Sequence, residues 1–507
     1  MSGVAAKAER PARARGRAWT LAGLMMAMFM GAIEATIVAT AIPTIVGDLG
    51  GFSLLSWVFS AYLLTQAASV PIYGKLADLY GRKPIFLAGA SLFAAGSLLC
   101  GAAPTMAHLA IFRAVQGLGA GAVLPMAQTI VGDLYDLEER ARIQGYLASV
   151  WGISSVVGPT AGGLIVTYLG WPWVFFINLP VALAAMLLIS VHLKERVDPR
   201  AQPIDFAGAA LLFAGVGALI TFLVQGGVAW PWRSLPSLLL AGTAAAGLAL
   251  FLLHERRAAD PILPLELFRR PVIAAGNAGA FLAGALTLGT SSFIPTFVQG
   301  SLGKSALVAG LSLGALSIGW PLASTFSGRI MLRAGFRRTA AIGAAFNLAG
   351  ALVLISLTLE STPFHVAAGA FLMGAGLGLT TNTYLISIQQ SVPWAERGVA
   401  TGSNMFARML GSSLGVTLLG SLLNARLRSY LAEHGTAALR RLGADAANAL
   451  LDPQRRAAFS PAEIETLREG LALATDAVFL SLLVISAAVA VVVRWLPVRT
   501  QTARARR

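Results

Sequence analysis

The sequence predicts an all-α polytopic membrane protein built of two six-helix bundles with a two-helix insertion between them. Three observations carry that expectation. The 507 residues are 56% hydrophobic and only 12% charged, far outside the soluble globular range. About fourteen apolar runs approach the roughly 20 residues needed to cross hydrocarbon. A weak internal echo relates the first part of the chain to the second.

Taken in order, the runs are 19–40, 54–74, 85–103, 107–131, 143–169 and 173–193, then 206–225 and 235–253, then 272–297, 306–331, 339–359, 364–386, 398–422 and 475–493. The formal net charge of +15 would suggest nucleic acid in a soluble protein. Here the basic residues fall in alternate loops, as orientation by Lys and Arg requires. Arg10, Arg13, Arg15 and Arg17 precede the first run; Lys75, Arg82 and Lys83 follow the second, Arg140 and Arg142 the fourth, Lys194, Arg196 and Arg200 the sixth, and Arg256, Arg257, Arg269 and Arg270 the eighth. Arg329, Arg333, Arg337 and Arg338 surround the turn after the tenth, and Arg499, Arg504, Arg506 and Arg507 close the chain. Both termini are therefore expected in the cytoplasm. Trp171, Trp173, Trp230 and Trp232 on the opposite loops suit an aromatic belt. The first run is too long for a signal peptide, contains Glu34 and leads into a second span. The single cysteine, Cys100, reads as a small buried hydrophobe.

The echo fixes the organisation. The turn from Gly74 to Lys83 returns in degraded form between Gly328 and Arg338, with the same interval between glycines. At an offset of about 257 residues, Gly117, Gly119 and Gly121 align with Gly374, Gly376 and Gly378, Glu139-Arg140 with Glu396-Arg397, and Gly145 with Gly402, the pattern of parallel repeats. The runs 206–225 and 235–253 have no counterpart and read as an inserted hairpin. The expected division is a basic tail at 1–18, a first bundle at 19–200, the hairpin at 201–258, a second bundle at 259–495 and a basic tail at 496–507. The second bundle includes a long outer loop at 424–474, expected to form a small helical cap because Ser460-Pro461-Ala462-Glu463 reads as a capping box. The echo is unequal: Asp78 corresponds to Leu332 and Arg113 to Ala370.

Glu34 lies inside the first span, where a carboxylate costs roughly 2.5 kcal/mol or more and usually faces a cavity with a partner or a proton. Burial disfavours its charge and opens reversible protonation near neutral pH; a structural hydrogen bond to a neighbouring helix is the plain alternative. Counting about 1.5 Å per residue puts Glu34 and Arg113 at the same depth, so the two are expected to pair and to couple protonation to conformation, unless Arg113 only snorkels or holds carbonyls. Gly152, Gly158, Pro159, Gly162 and Gly163 place four glycines and a proline in the fifth span. They form a candidate hinge, or a packing stripe.

The segment Gly74-Lys75-Leu76-Ala77-Asp78-Leu79-Tyr80-Gly81-Arg82-Lys83-Pro84 resembles the loop between the second and third helices of the major facilitator superfamily. With Arg113 to Gly121, Gly152 to Gly163 and Ile33 to Pro43, it resembles four ordered motifs of the fourteen-helix drug:proton antiporters within that superfamily. Trp171 to Pro180 and Ala407 to Gly415 extend the resemblance over nearly the whole chain. The resemblance implies the major facilitator fold and a conformational switch at Gly74, Asp78, Gly81, Arg82 and Lys83. The Gly158-Pro159 motif is carried by antiporters of that family and generally missing from its symporters, which points to efflux. Many relatives have Asp where this chain has Glu34, so the reach of the acid differs.

A pocket between the halves is expected to draw on Met25, Met26, Met30, Gln66, Gln128, Trp151, Asn277, Phe293, Phe297, Tyr384, Asn404, Phe406 and Arg408, all placed mid-span; each also suits an ordinary helix interface. The function expected is proton-coupled multidrug efflux of hydrophobic or cationic molecules across the cytoplasmic membrane. Export or flipping of a lipid or a specific metabolite by the same machinery stays open. No clustered His, Cys or acidic constellation and no nucleotide motif points to an enzyme, and no signalling domain points to a sensor. The expected partners are an amphipathic small molecule, protons and lipids, with no nucleic acid, no metal and no cofactor beyond a proton gradient, and the working form is expected to be a monomer.

Overall fold

Gly81 and Gly335 mark the same joint in the two halves of the chain. Each has a positive φ, +98° and +82°, a conformation that costs an L residue with a side chain. At Gly81 one helix stops and the next begins; at Gly335 a helix of 50 residues turns sharply. The echo seen in the glycine spacing is thus an echo of the backbone.

The computed structural model describes residues 2–50, 54–195, 205–226, 230–258, 260–442, 450 and 458–497. The basic cluster expected at the C-terminal end, Arg196 and Arg200, and residues 443–449 and 451–457 of the outer loop lie outside the described residues, as do the side chains of Arg10, Arg13 and Arg15. Described regular structure is helical throughout, apart from one isolated bridge between Gly226 and Trp230. The chain is a multi-pass membrane protein. Among the described residues eleven stretches are long and apolar enough to cross a membrane. Leu307–Ile355 carries two of the predicted spans across Gly335. The helices holding 54–74 and 143–169 are more polar; the first turns Ser60, Thr65, Gln66 and Ser69 inward to its neighbours.

The chain divides into two units, Met1–Ala274 with Ile388–Phe406, and Ala275–Ser387 with Ala407–Arg507. The inserted hairpin therefore groups with the first six helices. That first unit holds α1 (Ser2–Leu49), α2 (Leu55–Tyr80), α3 (Arg82–Gly101), α4 (Met106–Leu134), α5 (Leu137–Tyr168) and α6 (Trp173–His192, in two pieces meeting at Ile177). The hairpin follows as α7 (Phe206–Gln225) and α8 (Leu235–Glu255). Caps begin several of these helices. The Asp136 side chain accepts from Glu139 N while Glu139 returns to Asp136 N, and Asp205 accepts from Gly208 N at 2.8 Å; such caps stabilise by about 1 kcal/mol each.

In lipid, helices associate through close packing rather than expulsion of water. Accordingly α2 and α3 pack on α4, α1 on α5 and α6, and α7 on α2. Leu24, Phe86, Met126, Ile130 and Ile189 form one buried cluster, and Ile37, Ile45, Met106, Leu109 and Phe175 another. Trp171, expected in the aromatic belt, belongs to the second cluster and stacks edge-on against Phe175 at 6.3 Å, whereas Trp173 is half exposed. The apolar run beside Trp171 folds it inward.

The second unit contains α9 (Pro271–Thr296) with its π-helical end Phe297–Ser301, α10 (Ala306–Ile355), α11 (Pro363–Ser391), α12 (Arg397–His434), the short α13 (Ala437–Leu442) and α14 (Pro461–Val492). The start of α12, Arg397 to Phe406, and the end of α11 belong to the first unit. The loop expected at 424–474 is a correction: α12 runs on to His434 and α14 begins at Pro461. Leu423, Leu427 and Leu431 repeat every four residues and join Leu467 and Leu471 in one cluster. This leucine stripe keeps both segments helical although Arg426 and Arg428 end the apolar run. The Ser460–Glu463 capping box forms as the sequence indicates, with Ser460 N donating to Glu463 Oε2 at 3.0 Å.

Candidate functional site

Glu34 on α1 is fully buried, and both of its carboxylate oxygens have donors. Arg113 Nη1 on α4 donates to Oε1, forming an ion pair, and Asn178 Nδ2 on α6 donates to Oε2 at 2.6 Å. Arg113 also gives Nη1 to Gln116 Oε1 at 2.6 Å and Nε to the carbonyl of Val58 at 3.1 Å. Its guanidinium lies 4.2 Å from the centre of the Tyr62 ring. Gln116 passes the network on to Ser97 Oγ at 2.7 Å, with the Cys100 thiol 3.8 Å from Gln116 Oε1. Arg113 and Gln116 share a face because they are three residues apart on a helix. The pair is buried and multiply bonded, so removing one partner strands a charge at a cost of about 3–5 kcal/mol.

A second constellation surrounds Gly81. Asp78 and Arg82 form an ion pair at 2.8 Å, and the Asp78 carboxylate accepts from Gly398 N and Val399 N, both at 2.8 Å, at the start of α12. Arg82 is buried. It reaches Asp133 Oδ2 at 3.0 Å, the carbonyls of Ala77 and Trp394 at 2.9 and 2.6 Å, and lies 3.8 Å above the Trp394 ring. Asp133 also accepts from Arg397 Nη1 at 2.9 Å, so one carboxylate joins two arginines. Burial pushes the Asp78 carboxyl up to about 7, while Arg82 and the two amides oppose the rise. Gly74 and Gly398 let the backbones meet: a Cβ at Gly74 would stand 2.7 Å from the Gly398 carbonyl.

Connecting segments hold the turn from its other sides. Glu195 accepts from the amides of Arg82 and Lys83 at 2.8 and 2.9 Å, and Lys83 Nζ donates to the carbonyls of Ser190 and Leu193 at 2.6 and 3.1 Å. Lys75 pairs with Asp260, in the link that follows the hairpin.

The profile of the Major Facilitator Superfamily matches residues 24–416. The chain belongs to the Major Facilitator Superfamily. Two Bacillus subtilis relatives are similar over most of their length: the multidrug transporter protein MdtP, 37% identical over 82% of this chain and 77% of its own, and multidrug resistance protein 3, 36% identical over 85% and 84%. The multidrug resistance protein Stp of Mycobacterium tuberculosis is 33% identical over 82% and 77%. Among solved structures, the human organic anion transporter MFSD10 aligns with a TM-score of 0.57 at 15% identity, covering 94% of this chain and 99% of that one. The proton:xylose symporter XylE aligns with the same TM-score at 13% identity over 90% and 98%. These two carry the fold alone: this is the major facilitator fold.

Within this superfamily member the glycine motif of α5 faces α1. A side chain at Gly158 would meet Thr36 Oγ1, and one at Gly162 would meet Thr40 Oγ1. Thr36 Oγ1 reaches the carbonyl of Ser154 at 3.2 Å. Gly163 faces open space, Gly152 is half-buried, and the side chain of Pro159 lies outside the described residues. The helix passes through all five positions without a break, and Gly158 and Gly162 let α5 approach α1 closely.

The expected pocket residues part company. In the first unit Gln66 and Asn404 are buried, Met26 and Phe406 half-buried, and Trp151 is 41% exposed. Gln128 accepts from Gln144 at 2.6 Å. Met30 packs with Tyr62 and Phe93 in a buried cluster. In the second unit Asn277 is buried and Arg408 half-buried. Phe293, Phe297 and Tyr384 are buried in the core cluster of that unit. Phe297 meets Phe479 edge-on at 5.8 Å, and Tyr384 packs its ring against Gly279. Mid-span placement does not distinguish a wall from a core.

Sequence reasoning missed Gln116, Asp133, Asn178, Glu195, Asp260 and Trp394 as working side chains. Gln116 and Asn178 stood inside recognised motifs, and the i,i+3 spacing from Arg113 was a usable signal for the first. The others join distant segments and leave no local pattern.

Proposed function

We propose that this transporter is a proton-coupled antiporter that exports hydrophobic or cationic small molecules across the cytoplasmic membrane, with both termini inside. The observation that carries the reading is the fully buried Glu34, held by Arg113 and Asn178 in the interior of the first unit. An acid in that setting changes the charge of the bundle interior when it takes a proton, and intramembrane acids of this kind serve as proton relays. A proton on Glu34 weakens its hold on Arg113, which then favours other partners; that exchange is the proposed link between the gradient and a change of access. The names of the bacterial relatives, multidrug transporter and multidrug resistance proteins, support small-molecule export. The contacts of Asp78 and Arg82 with the start of α12 supply a part that such a change would make and break.

The test is transport in proteoliposomes under an imposed proton gradient, across a panel of dye cations and fluorescent lipids, comparing wild type with Glu34→Gln. Gradient-driven movement of cations in wild type, lost in the variant, is the expected result. Movement equal in both and indifferent to the gradient overturns proton coupling through Glu34.

A further inference from the structure

Resting on the reading of Glu34 as the proton-coupling acid, we propose that Asn178 is its positioning residue, a neutral amide that holds Oε2 in both the charged and the protonated form. Arg113 donates to Oε1 and Asn178 to Oε2, with the Gln116 side chain also against the carboxylate. Arg113 can only donate, so it favours the carboxylate. Asn178 carries a donor and an acceptor on one planar group. Against the carboxylate it presents Nδ2, at 2.6 Å. When a proton adds to Oε2, a half-turn of the amide brings Oδ1 round to accept it, so Asn178 keeps its contact with the acid while Arg113 is released.

The placement of Asn178 fits that task. It opens the second piece of α6, Asn178–His192, after the joint at Ile177, and Pro180 lacks the amide that would tie this joint to the carbonyl of Phe176. Asn178 is itself buried. The titratable and charged groups around Glu34 are Arg113 on α4, Tyr62 on α2 and Cys100 on α3. From α5, Ser154, Gly158 and Gly162 meet α1 at Thr36, Ile37 and Thr40 and carry no charge. Asn178 is therefore the neutral hydrogen-bonding group that touches the acid directly from α6.

The experiment measures the pH profile of gradient-driven cation transport in proteoliposomes for wild type, Asn178→Leu, Asn178→Asp and Glu34→Gln. Asn178 bonds both forms and the charged one more strongly, so its loss corresponds to a shift of about one pH unit. The Leu variant is expected to move the midpoint of the profile to higher pH by that amount, because the carboxylate loses a donor and its protonated form gains relative weight. The Asp variant keeps the shape of Asn178 and sets a second carboxyl beside the first, so it moves the midpoint upward at least as far. It also covers the case in which the Leu variant does not fold. Adding Asn178→Leu to Glu34→Gln produces no further change in pH dependence. Midpoints at the wild-type value in the folded Asn178 variants overturn the proposal even when Glu34→Gln abolishes coupling. A pH profile unaltered by Glu34→Gln itself removes the coupling reading instead.

Discussion

At the scale of single residues, Asp78 shows a balance that its motif alone conceals. Its carboxyl sits at about 7 against an ordinary value of 3.8, because burial outweighs the attraction of Arg82. The assembled turn therefore holds a proton more tightly than a turn in which Asp78 meets water. By linkage, the contact of Asp78 with α12 is strongest at low pH. It weakens by up to about tenfold per unit as pH rises through the window from about 4 to about 7, and is level above it. Hydrogen exchange at the amides of Gly398 and Val399, corrected for intrinsic rates, is expected to show protection falling across that window. Asp78→Asn, which cannot ionise, removes the dependence. Protection that rises with pH would mean that Arg82 outweighs burial. The residue scale was also the most legible in sequence. Equal depth predicted that Glu34 and Arg113 meet, and they do. The motif predicted Asp78 and Arg82 but not Asp133 or Trp394, whose roles arise only when separate segments are brought to one arginine.

At the scale of elements, the α2–α3 turn is held by the chain on either side of the inserted hairpin. Glu195, just before the insertion, caps the first two amides of α3, and Asp260, just after it, pairs with Lys75 at the end of α2. A carboxylate on a helix N-terminus satisfies orphan donors and meets the positive end of the helix dipole. Glu195→Ala is expected to lower stability by about 1 kcal/mol, read as a fall in melting temperature of the purified protein. Glu195→Gln, which keeps one acceptor, loses less. A Glu195→Ala protein that melts with wild type would show that the cap is replaced by water. Boundaries at this scale were less legible. Hydropathy ended the penultimate helix at residue 422, whereas α12 persists to His434 because Leu423, Leu427 and Leu431 continue a buried stripe beneath charged neighbours. A window average mixes the two faces of a helix and so misses a stripe.

At the scale of the whole chain, the repeat conserves backbone and discards charge. Gly81 and Gly335 share one conformation, yet the positions answering to Asp78 and Arg113 are Leu332 and Ala370. Their surroundings explain why the second half cannot regain the charges equally. Leu332 is 40% exposed and next in the chain to Arg333, so a carboxylate there is not sealed in the core; Ala370 is fully buried in the core of its unit among apolar side chains. An arginine at 370 would have neither the acid nor the amides that surround Arg113, and an unpaired buried charge costs several kcal/mol. Leu332→Asp is therefore expected to yield folded protein near the wild-type amount, and Ala370→Arg little or none, measured as the monodisperse peak in detergent size-exclusion chromatography. Equal recovery of both would show that the second unit can rearrange to hydrate or pair an arginine at 370. The asymmetry would then reflect selection on transport alone. Unequal recovery places it in packing, with the first unit keeping the charged machinery because its interior is already furnished with Gln116, Ser97 and Asn178.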